Sequence, residues 1–466
     1  METLPDLTGL DVGEKDALIR ELFARLLELT AKVRELESRL GLNSQNSSKP
    51  PSSDGYGKPK PKSLRDVGKN PTGGQKGHIG HTLEKSEHPD HVVAHVPPVR
   101  CECSLVLPQG IVVETRQVFD LAPMRYEVTE HQVLESCCTC GKRYRGDFPA
   151  SVRAAVQYGP YVKAAAVHLS EHHMLPAQRT ADVIGELCGL QLSDATVLAA
   201  VSDAKKRLEP TVAVIGKAVV AAQVAHADET GMRVAGKLHW VHVLTTELLT
   251  WMGIHPKRGK LAFDAFGLLA AFVGTLVHDG WKSYRDLECT HALCNAHHLR
   301  ELTYLFEEMG QTWAKRLIDM LVMACHEVAA AGGLLSTERI AYFHSLYWEI
   351  ISVGEAANPR ASPSRERGRT RQTKAANLLE RLRVYSGDVL RFMSEKDAPF
   401  TNNLAERAIR MPKVKQKVSG CFRTMGGAES FCTIRSYLDT MRKQGVNPFQ
   451  VLVQTFQGVV PQPRLS

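Results

Sequence analysis

The sequence lacks a long apolar run and an even number of cysteines, and both absences restrict what the protein can be. None of its 466 residues belongs to an uninterrupted apolar stretch of the ~20 residues that cross a bilayer, and no secretory signal pattern opens the chain. We therefore expect a cytoplasmic protein. Eleven cysteines cannot all pair as disulfides, and in a reducing compartment clustered cysteines bind metal more often than they bind each other.

Charge of one sign is in only modest excess, and it is unevenly spread. Hydrophobic residues make up 43% of the chain, which supports packed cores, and the length allows about two to four domains. The formal net charge is +8, with the basic residues concentrated in a few segments. This distribution favours local anion-binding surfaces over a uniformly basic protein.

Residues 12–42 carry the spacing of a coiled coil. Apolar residues recur at alternating intervals of three and four, with charged residues between them: Ile19, Leu22, Leu26, Leu29, Val33, Leu36 and Leu40. We predict a homo-oligomer joined through this helix, although an amphipathic helix packed on its own domain has the same pattern. Residues 43–90 follow as a flexible basic linker that is too polar to form a core, and its lysines either contact phosphates or only solvate the segment.

A zinc ribbon is predicted at residues 91–148. Two cysteine pairs bracket two stretches, 111–121 and 125–134, that have the composition of paired strands. Four thiolates in such a ribbon hold one structural Zn²⁺ ion. The four are Cys101, Cys103, Cys137 and Cys140. The first pair is one residue closer than usual, so His95 is an alternative ligand.

Residues 150–222 are predicted to be helical and to include a possible helix-turn-helix. A helix at 179–187, a glycine-containing turn and a helix at 193–201 fit this motif, with Ser193 as the N-cap of the second helix. Any two helices joined at a glycine have the same appearance. DNA contact and ordinary packing therefore both remain open.

Residues 223–300 contain a β-rich core with two aspartates. The strand-length runs are 225–234, 238–246 and 248–254, followed by helical spacing at 260–272 and a fourth strand at 274–279. A β-β-β-α-β order places the fourth strand parallel beside the first, so Asp228 and Asp279 are expected side by side. Adjacent carboxylates repel, and hard oxygen ligands suit Mg²⁺ or Mn²⁺. Alternatively, each aspartate caps a turn or pairs with a lysine. Glu229 should face away from Asp228 on its strand, and Asp286 is not expected to be a ligand.

A third acid follows a predicted helical insertion at 301–398. Residues 399–457 are expected to form a core helix and the C-terminal helices, with the first helix beginning near Asn402 or Asn403. Glu406 lies in its first turns. It reads either as part of a surface salt-bridge face or as a metal ligand beside a track of phosphate-binding residues. The basic residues of that track are Arg407, Arg410, Lys413 and Arg423.

The helix that opens the insertion has further polar candidates. His297 and Arg300 lie three apart on one helix face and are predicted to reach a DNA phosphate. The same stretch of sequence contains five residues that can bind soft metal ions: Cys289, His291, Cys294, His297 and His298. Ordinary packing is the preferred interpretation of this cluster, since no complete ligand set of known spacing is present.

Five sequence blocks, in order, resemble transposases of the insertion-sequence-66 type. They are Asn43-Ser-Gln-Asn-Ser-Ser-Lys-Pro-Pro-Ser-Ser-Asp54, Gly73-Gly-Gln-Lys-Gly-His78, His226-Ala-Asp-Glu-Thr230, Cys294-Asn-Ala-His297 and Asn402-Asn-Leu-Ala-Glu-Arg407. The resemblance covers nearly the whole chain. It implies an Asp-Asp-Glu recombinase with a ribonuclease-H-like core, and Asp228, Asp279 and Glu406 as its catalytic acids. The short first cysteine pair departs from the family pattern.

These expectations combine into a multidomain α/β protein. A ribonuclease-H-like mixed β-sheet core with a helical insertion is preceded by the coiled coil, the zinc ribbon and the helical DNA-binding region. The three acids would hold two Mg²⁺ or Mn²⁺ ions roughly 3.5–4 Å apart, cleave DNA at the terminal inverted repeats and transfer the 3′-OH to target DNA. Accessory proteins of the same element are possible partners. The alternatives are an endonuclease without strand transfer and a zinc-ribbon DNA-binding regulator without catalysis.

Replacing Leu26 and Val33 with Glu is predicted to weaken self-association. Charges at facing core positions of a coiled coil lose apolar burial and repel one another. Sedimentation of the double variant beside the wild type measures the effect. An unchanged oligomer would show that the heptads do not join the subunits.

Overall fold

The computed structural model describes residues 11–40, 83–122, 124–361 and 372–466. Most of the predicted basic linker, including two of the five sequence blocks, therefore lies outside the described residues. So does most of the Pro- and Arg-rich stretch within the helical insertion. No helix in the described ranges is long and apolar enough to span a membrane.

The N-terminal heptads lie on one long helix, α1 (Val12–Leu40). A reciprocal capping box starts it: the Glu14 backbone N–H donates to Asp11 Oδ1 at 2.8 Å, and the Asp11 N–H donates to Glu14 Oε2 at 3.0 Å. The apolar heptad side chains are exposed, with Leu26 59% and Val33 51% accessible. Because nothing in the described chain covers this face, self-association through it stays a prediction.

The cysteine region contains little regular structure. Its two short strands, β1 (Glu135–Cys137) and β2 (Arg143–Arg145), pair antiparallel. The paired strands predicted at 111–121 and 125–134 are wrong, since the described residues there form no ladder. Strand-like composition gives a sheet only where one face is covered, and Val113 is 90% exposed.

Two cysteine turns in this region have the same backbone hydrogen bonds. Ser104 N donates to Cys101 O at 2.8 Å, and Gly141 N donates to Cys138 O at 2.8 Å. The shared hydrogen bonds make Cys101 equivalent to Cys138. Cys103 is then equivalent to Cys140. Within the described chain, no three of these exposed cysteines bring their sulfurs within 4.8 Å of one another. The zinc site therefore remains a prediction.

The central feature is a five-stranded mixed sheet. Its strands are β3 (Val224–Val234), β4 (Lys237–Thr245), β5 (Thr250–His255), β6 (Thr275–His278) and β7 (Thr290–Leu293). Their order is β5-β4-β3-β6-β7, with β3, β4 and β5 antiparallel and β6 and β7 parallel to β3. The predicted meander and the parallel return of the fourth strand are confirmed. The fifth strand, β7, was not predicted.

Two short helices flank β6. Helix α5 (Lys260–Phe266) precedes it and α6 (Lys282–Arg285) follows it. The helix predicted at 260–272 is too long, because Gly267 adopts a left-handed conformation with φ 69° and ends α5. A 3₁₀ turn at Leu269–Ala271 continues the chain towards β6.

A layer of helices packs against the sheet, and these helices come partly from before and partly from after the sheet strands in the sequence. It contains α2 (Pro160–Val167), α3 (Ala177–Cys188), α4 (Asp194–Val220), α13 (Met425–Lys443) and α14 (Pro448–Gln457). Ser193 caps α4 as predicted, accepting the Thr196 N–H at 3.1 Å. However, α4 is far longer than the predicted recognition helix, and its inner face, from Val197 to Val219, is buried in the main core. DNA contact through α3 and α4 stays a prediction.

Helix α13 covers the open edge of the sheet. The Ser436 hydroxyl accepts the Met252 backbone N–H at 2.8 Å, and the Thr440 hydroxyl accepts the Thr250 N–H at 2.9 Å. An uncovered edge strand offers unpaired donors to other chains. The two hydroxyls satisfy those donors on β5 and fix α13 along it.

A helical region with its own core separates β7 from the helix that carries Glu406. It comprises α7 (Asn295–Glu307), α8 (Thr312–Ala330), α9 (Thr337–Ala357), α10 (Lys374–Val384) and α11 (Ser386–Leu390), and is followed by α12 (Asn403–Ser419). Its entry and exit are joined, because the Asn295 backbone N–H donates to Phe400 O at 3.0 Å and its side-chain amide donates to Val389 O at 2.9 Å. The chain therefore returns to the sheet where it left.

Serine substitutions in the cysteine turns should reveal how zinc is held. We expect about one zinc per chain in the purified protein and its loss in Cys140→Ser. Because Cys138 matches Cys101 in the turn geometry, Cys138→Ser should lower the zinc content more than Cys137→Ser does. Metal analysis of the three variants measures this, and a wild type without zinc would rule the ribbon out.

Candidate active site

Three acidic residues from distant parts of the sequence converge on one region of the sheet. Asp228 lies within β3, Asp279 directly follows β6, and Glu406 lies in the first turn of α12. His226 pairs with Val277 in the parallel β3–β6 ladder, and the two aspartates each lie two residues beyond that pair. Helix α12 packs across β3 and β4. The fold thus brings the Glu406 helix to the two strands that carry the aspartates.

The charges of these acids act on one another. Burial raises the pKa of Asp228 well above its ordinary value, and the negative charges of Glu229, Asp279 and Glu406 raise it further. No Lys or Arg in the described chain forms an ion pair with Asp228 or Asp279, so pairing with a lysine is not what holds them there. The two aspartates therefore concentrate negative charge without a cationic side chain to balance it.

Asp228 and Asp279 each accept a backbone hydrogen bond, as the turn-capping alternative predicts, but each does so through only one carboxylate oxygen. Asp279 Oδ1 accepts the Trp281 backbone N–H at 2.8 Å, and Asp228 Oδ1 accepts the Glu229 N–H at 2.8 Å. These bonds orient the carboxylates. They also leave each side chain an oxygen that can accept a further ligand.

Asn402 attaches the start of α12 to β3. Its side-chain amide donates to Ala227 O at 2.8 Å, and its Oδ1 accepts from His226 Nδ1 at 2.9 Å. Burial lowers the pKa of His226 to about 4, so the imidazole is neutral. Asn402 does precede the helix, and asparagine is a favourable residue for capping, but its side chain forms no capping hydrogen bond with α12. Its amide is used across the sheet instead, a role that the sequence motif alone did not reveal.

Glu229 lies on the opposite face of β3, as strand alternation predicts. Its carboxylate accepts hydrogen bonds from the Tyr284 hydroxyl and from Arg258 Nε, the latter at 2.8 Å. The Arg258 guanidinium in turn lies 3.8 Å from the centre of the Trp281 ring. This network, buried at Glu229 and exposed at Arg258, links β3 to the segment after β6. It holds together the two strands from which Asp228 and Asp279 project.

Two side chains from the start of α7 contact Glu406. Cys294 Sγ lies 3.8 Å and His297 Nδ1 4.0 Å from Glu406 Oε1. Cys294 is buried, and its sulfur accepts the Asn402 backbone N–H at 3.2 Å. Burial and the Arg300 charge lower the pKa of His297, although Glu406 and Asp279 oppose the shift. His297 Nδ1 faces Glu406, and the predicted contact of His297 with a phosphate stays a prediction.

The predicted phosphate-binding residues lie mostly on one exposed surface. Arg407, Arg410 and Lys413 recur along the outer face of α12, and Arg423 lies in the loop that follows. All four side chains are exposed. Arg300 on α7 is half-buried. A basic strip therefore starts next to Glu406 and continues away from it.

Comparison with protein families identifies the chain. Residues 155–430, more than half of the sequence, match the model of the IS66 transposase family. The chain belongs to the IS66 family of transposases. The matched region of the transposase includes all three acids, the contacts of Glu406 and the basic strip. Residues 2–84 match a family of unknown function, DUF6444. No curated protein matches the sequence.

Neutralising Asp228 is expected to stabilise the metal-free transposase and to abolish stabilisation by Mg²⁺. Because the folded-state pKa of this carboxyl is raised, its ionisation costs stability as pH rises through that pKa. Asp228→Asn removes this cost, so its advantage should be absent below the ordinary pKa of an aspartate and grow as pH rises through the raised pKa. A bound ion at 100 times its Kd adds about 2.7 kcal/mol to the wild type.

Thermal unfolding in chelator and in Mg²⁺, at several pH values, measures both effects. Asp264→Asn, on the exposed side of α5, is the control and should behave as the wild type. Equal Mg²⁺ stabilisation of Asp228→Asn and wild type would exclude Asp228 as a ligand.

Proposed function

We propose that this transposase cleaves DNA at the ends of its insertion sequence and transfers the freed 3′-OH to target DNA, with Asp228, Asp279 and Glu406 as catalytic metal ligands. The observation that carries the proposal is that the charges of Asp279 and Glu406 both act on the buried Asp228, while neither aspartate has a Lys or Arg partner in the described chain. The three carboxylates do not all lie within 4.8 Å of one another. Family membership supports the same function. The sheet order, three antiparallel strands followed by two parallel ones, supports a ribonuclease-H-like core.

The donor set fits Mg²⁺ or Mn²⁺. Hard cations of this size prefer carboxylate oxygens, and the mutual repulsion that raises the pKa of Asp228 would be relieved by a cation. A pair of such ions held by these three acids would supply activation of the attacking water or 3′-OH and stabilisation of the leaving 3′ oxygen. Asn402 holds the helix that carries Glu406 against β3. The Glu229 network holds β3, which carries Asp228, to the segment that follows Asp279.

The basic strip supports a path for DNA past the acids. Arg407, Arg410, Lys413 and Arg423 are exposed, and three of them lie on the same helix as Glu406. Arginine and lysine side chains in such a row contact phosphates and position the duplex without reading its sequence. A DNA phosphate backbone that follows α12 would reach the acids at the start of that helix. Binding through this strip should weaken as salt rises, since each phosphate contact releases counterions.

The N-terminal region supports a multimeric enzyme over a solitary nuclease. The exposed heptad face of α1 suits a second copy of the chain, and two equivalent cysteine turns precede the catalytic region. Transposition requires two element ends to be held together, and a dimer supplies two catalytic centres. Strand-transfer products, as opposed to nicked ends alone, distinguish a transposase from an endonuclease with the same core.

Glu406→Gln is expected to abolish cleavage while preserving DNA binding. The substitution keeps the shape of the side chain and removes the charge needed to hold a metal ion. Loss of one charge-stabilising group typically costs on the order of 10²–10³-fold in rate. Mg²⁺-dependent nicking of a labelled element end measures the effect, beside a gel-shift assay at the same salt concentration.

Glu429→Gln is the matched control on the next helix. Glu429 Oε2 pairs with Lys205 Nζ at 2.8 Å, and its side chain is 46% exposed. Exposed pairs contribute about 0–1 kcal/mol, so this variant should nick at a near-normal rate. Near-normal nicking by Glu406→Gln would instead assign that residue to a surface ion pair.

A further inference from the structure

Glu406 belongs to a second possible ligand set besides the three acids. Cys294 Sγ, one ring nitrogen of His297 and a Glu406 oxygen all lie within 4.8 Å of one another, and in the described chain no other trio of His, Cys, Asp or Glu ligand atoms does so. Cys294 and His297 are separated by two residues at the start of α7, while Glu406 comes from α12. The third ligand is therefore supplied only by the return of the chain after the helical insertion.

One ligand atom of this set lacks a partner. His297 Nδ1 is buried and forms no hydrogen bond, and its nearest anionic group is Glu406 Oε1 at 4.0 Å. An unsatisfied buried ring nitrogen costs free energy unless something binds it. The atom faces the carboxylate across a gap that is too long for a hydrogen bond.

The separations suit a tetrahedral transition-metal ion. With Zn–S at about 2.3 Å and Zn–N or Zn–O at about 2.0–2.2 Å, tetrahedral ligand atoms lie roughly 3.3–3.6 Å apart. The observed 3.8 Å from Cys294 Sγ to Glu406 and 4.0 Å from His297 Nδ1 to Glu406 exceed this range by only a few tenths of an ångström. Three protein ligands leave the fourth position open to water.

We propose that Cys294, His297 and Glu406 form a binding site for a soft divalent transition-metal ion such as Zn²⁺, and that an ion bound there inhibits the transposase by withdrawing Glu406 from the magnesium centre. Thiolate and imidazole ligands select Zn²⁺ or Co²⁺ over Mg²⁺, which prefers an all-oxygen shell. Cys294 Sγ and His297 Nδ1 both lie nearest the same carboxylate oxygen, Glu406 Oε1, so an ion bound between them would compete with Mg²⁺ for that oxygen. The metal binding stands by itself, whereas the inhibition rests on the proposed function.

Cobalt titration of the metal-stripped, full-length protein tests the site directly. The absorbance of cobalt–thiolate bonds, followed as cobalt is added, gives the number of sites that contain cysteine, including any in the N-terminal turns. Cys294→Ala should bind one equivalent fewer than the wild type. Cys432→Ala is the matched control, because Cys432 is also buried but packs in an apolar cluster, and it should bind the full number.

His297→Gln guards against a folding defect in Cys294→Ala. It replaces a half-buried side chain and should also lower cobalt affinity, by at least about 10–100-fold, the effect seen when even an outer partner of a metal ligand is lost. Equal cobalt binding by the wild type, Cys294→Ala and His297→Gln would overturn the site.

Zinc inhibition of nicking tests the regulatory part. At fixed Mg²⁺, the zinc concentration that halves nicking should rise at least about 10-fold in Cys294→Ala, each protein being compared with its own zinc-free rate. In the wild type it should also rise with Mg²⁺ concentration. Cobalt bound at Cys294 without such inhibition would overturn the shared use of Glu406. A wild type that never nicks DNA would contradict the proposed function, while the cobalt count would still decide the metal site.

Discussion

The anchoring of helix α12 to strand β3 through Asn402 is the interaction on which the candidate active site depends. One amide side chain bonds to Ala227 O and to His226, on the strand that carries Asp228. Its backbone N–H donates to Cys294 Sγ at the start of α7. The start of α12 is therefore tied both to the sheet and to the helix that leaves it. Glu406, one turn further on, takes its position from this junction.

The opposing constraint is electrostatic. Folding places Asp228 in a buried setting beside other acids, which raises its pKa and costs stability once it ionises. On the other face, Tyr284 and Arg258 donate hydrogen bonds to Glu229, whereas Asp228 and Asp279 have no Lys or Arg partner in the described chain. This arrangement of acids supports the proposed metal site. The contacts of Glu406 with Cys294 and His297 show that the same carboxylate also lies within reach of softer ligands.

Much of the central sheet could be predicted from local patterns. The runs around Asp228 have the alternation and turn chemistry of a meander, and a β-β-β-α-β order permits only a parallel return in the usual handedness. The prediction failed where local pattern and burial disagree. The stretches at 111–121 and 125–134 have strand composition but no covering layer, and β7 is too short, at four residues, to show a period. Gly267 ended α5 earlier than its apolar spacing suggested.

The sequence by itself determined which residues are candidates for the chemistry, because acids, cysteines and basic residues at fixed spacings are visible without a structure. It also determined the order of the strands around Asp228 and Asp279, since short turns leave neighbouring strands little choice. Only the tertiary structure decided what Glu406 contacts. Cys294 and Glu406 are 112 positions apart, and a helical region with its own core lies between them. No local rule relates such residues. The distance between Cys294 and Glu406 is set by the hydrogen bond from Asn295 N to Phe400 O, which joins the two ends of the helical region. That contact depends on tertiary packing and cannot be read from local sequence spacing.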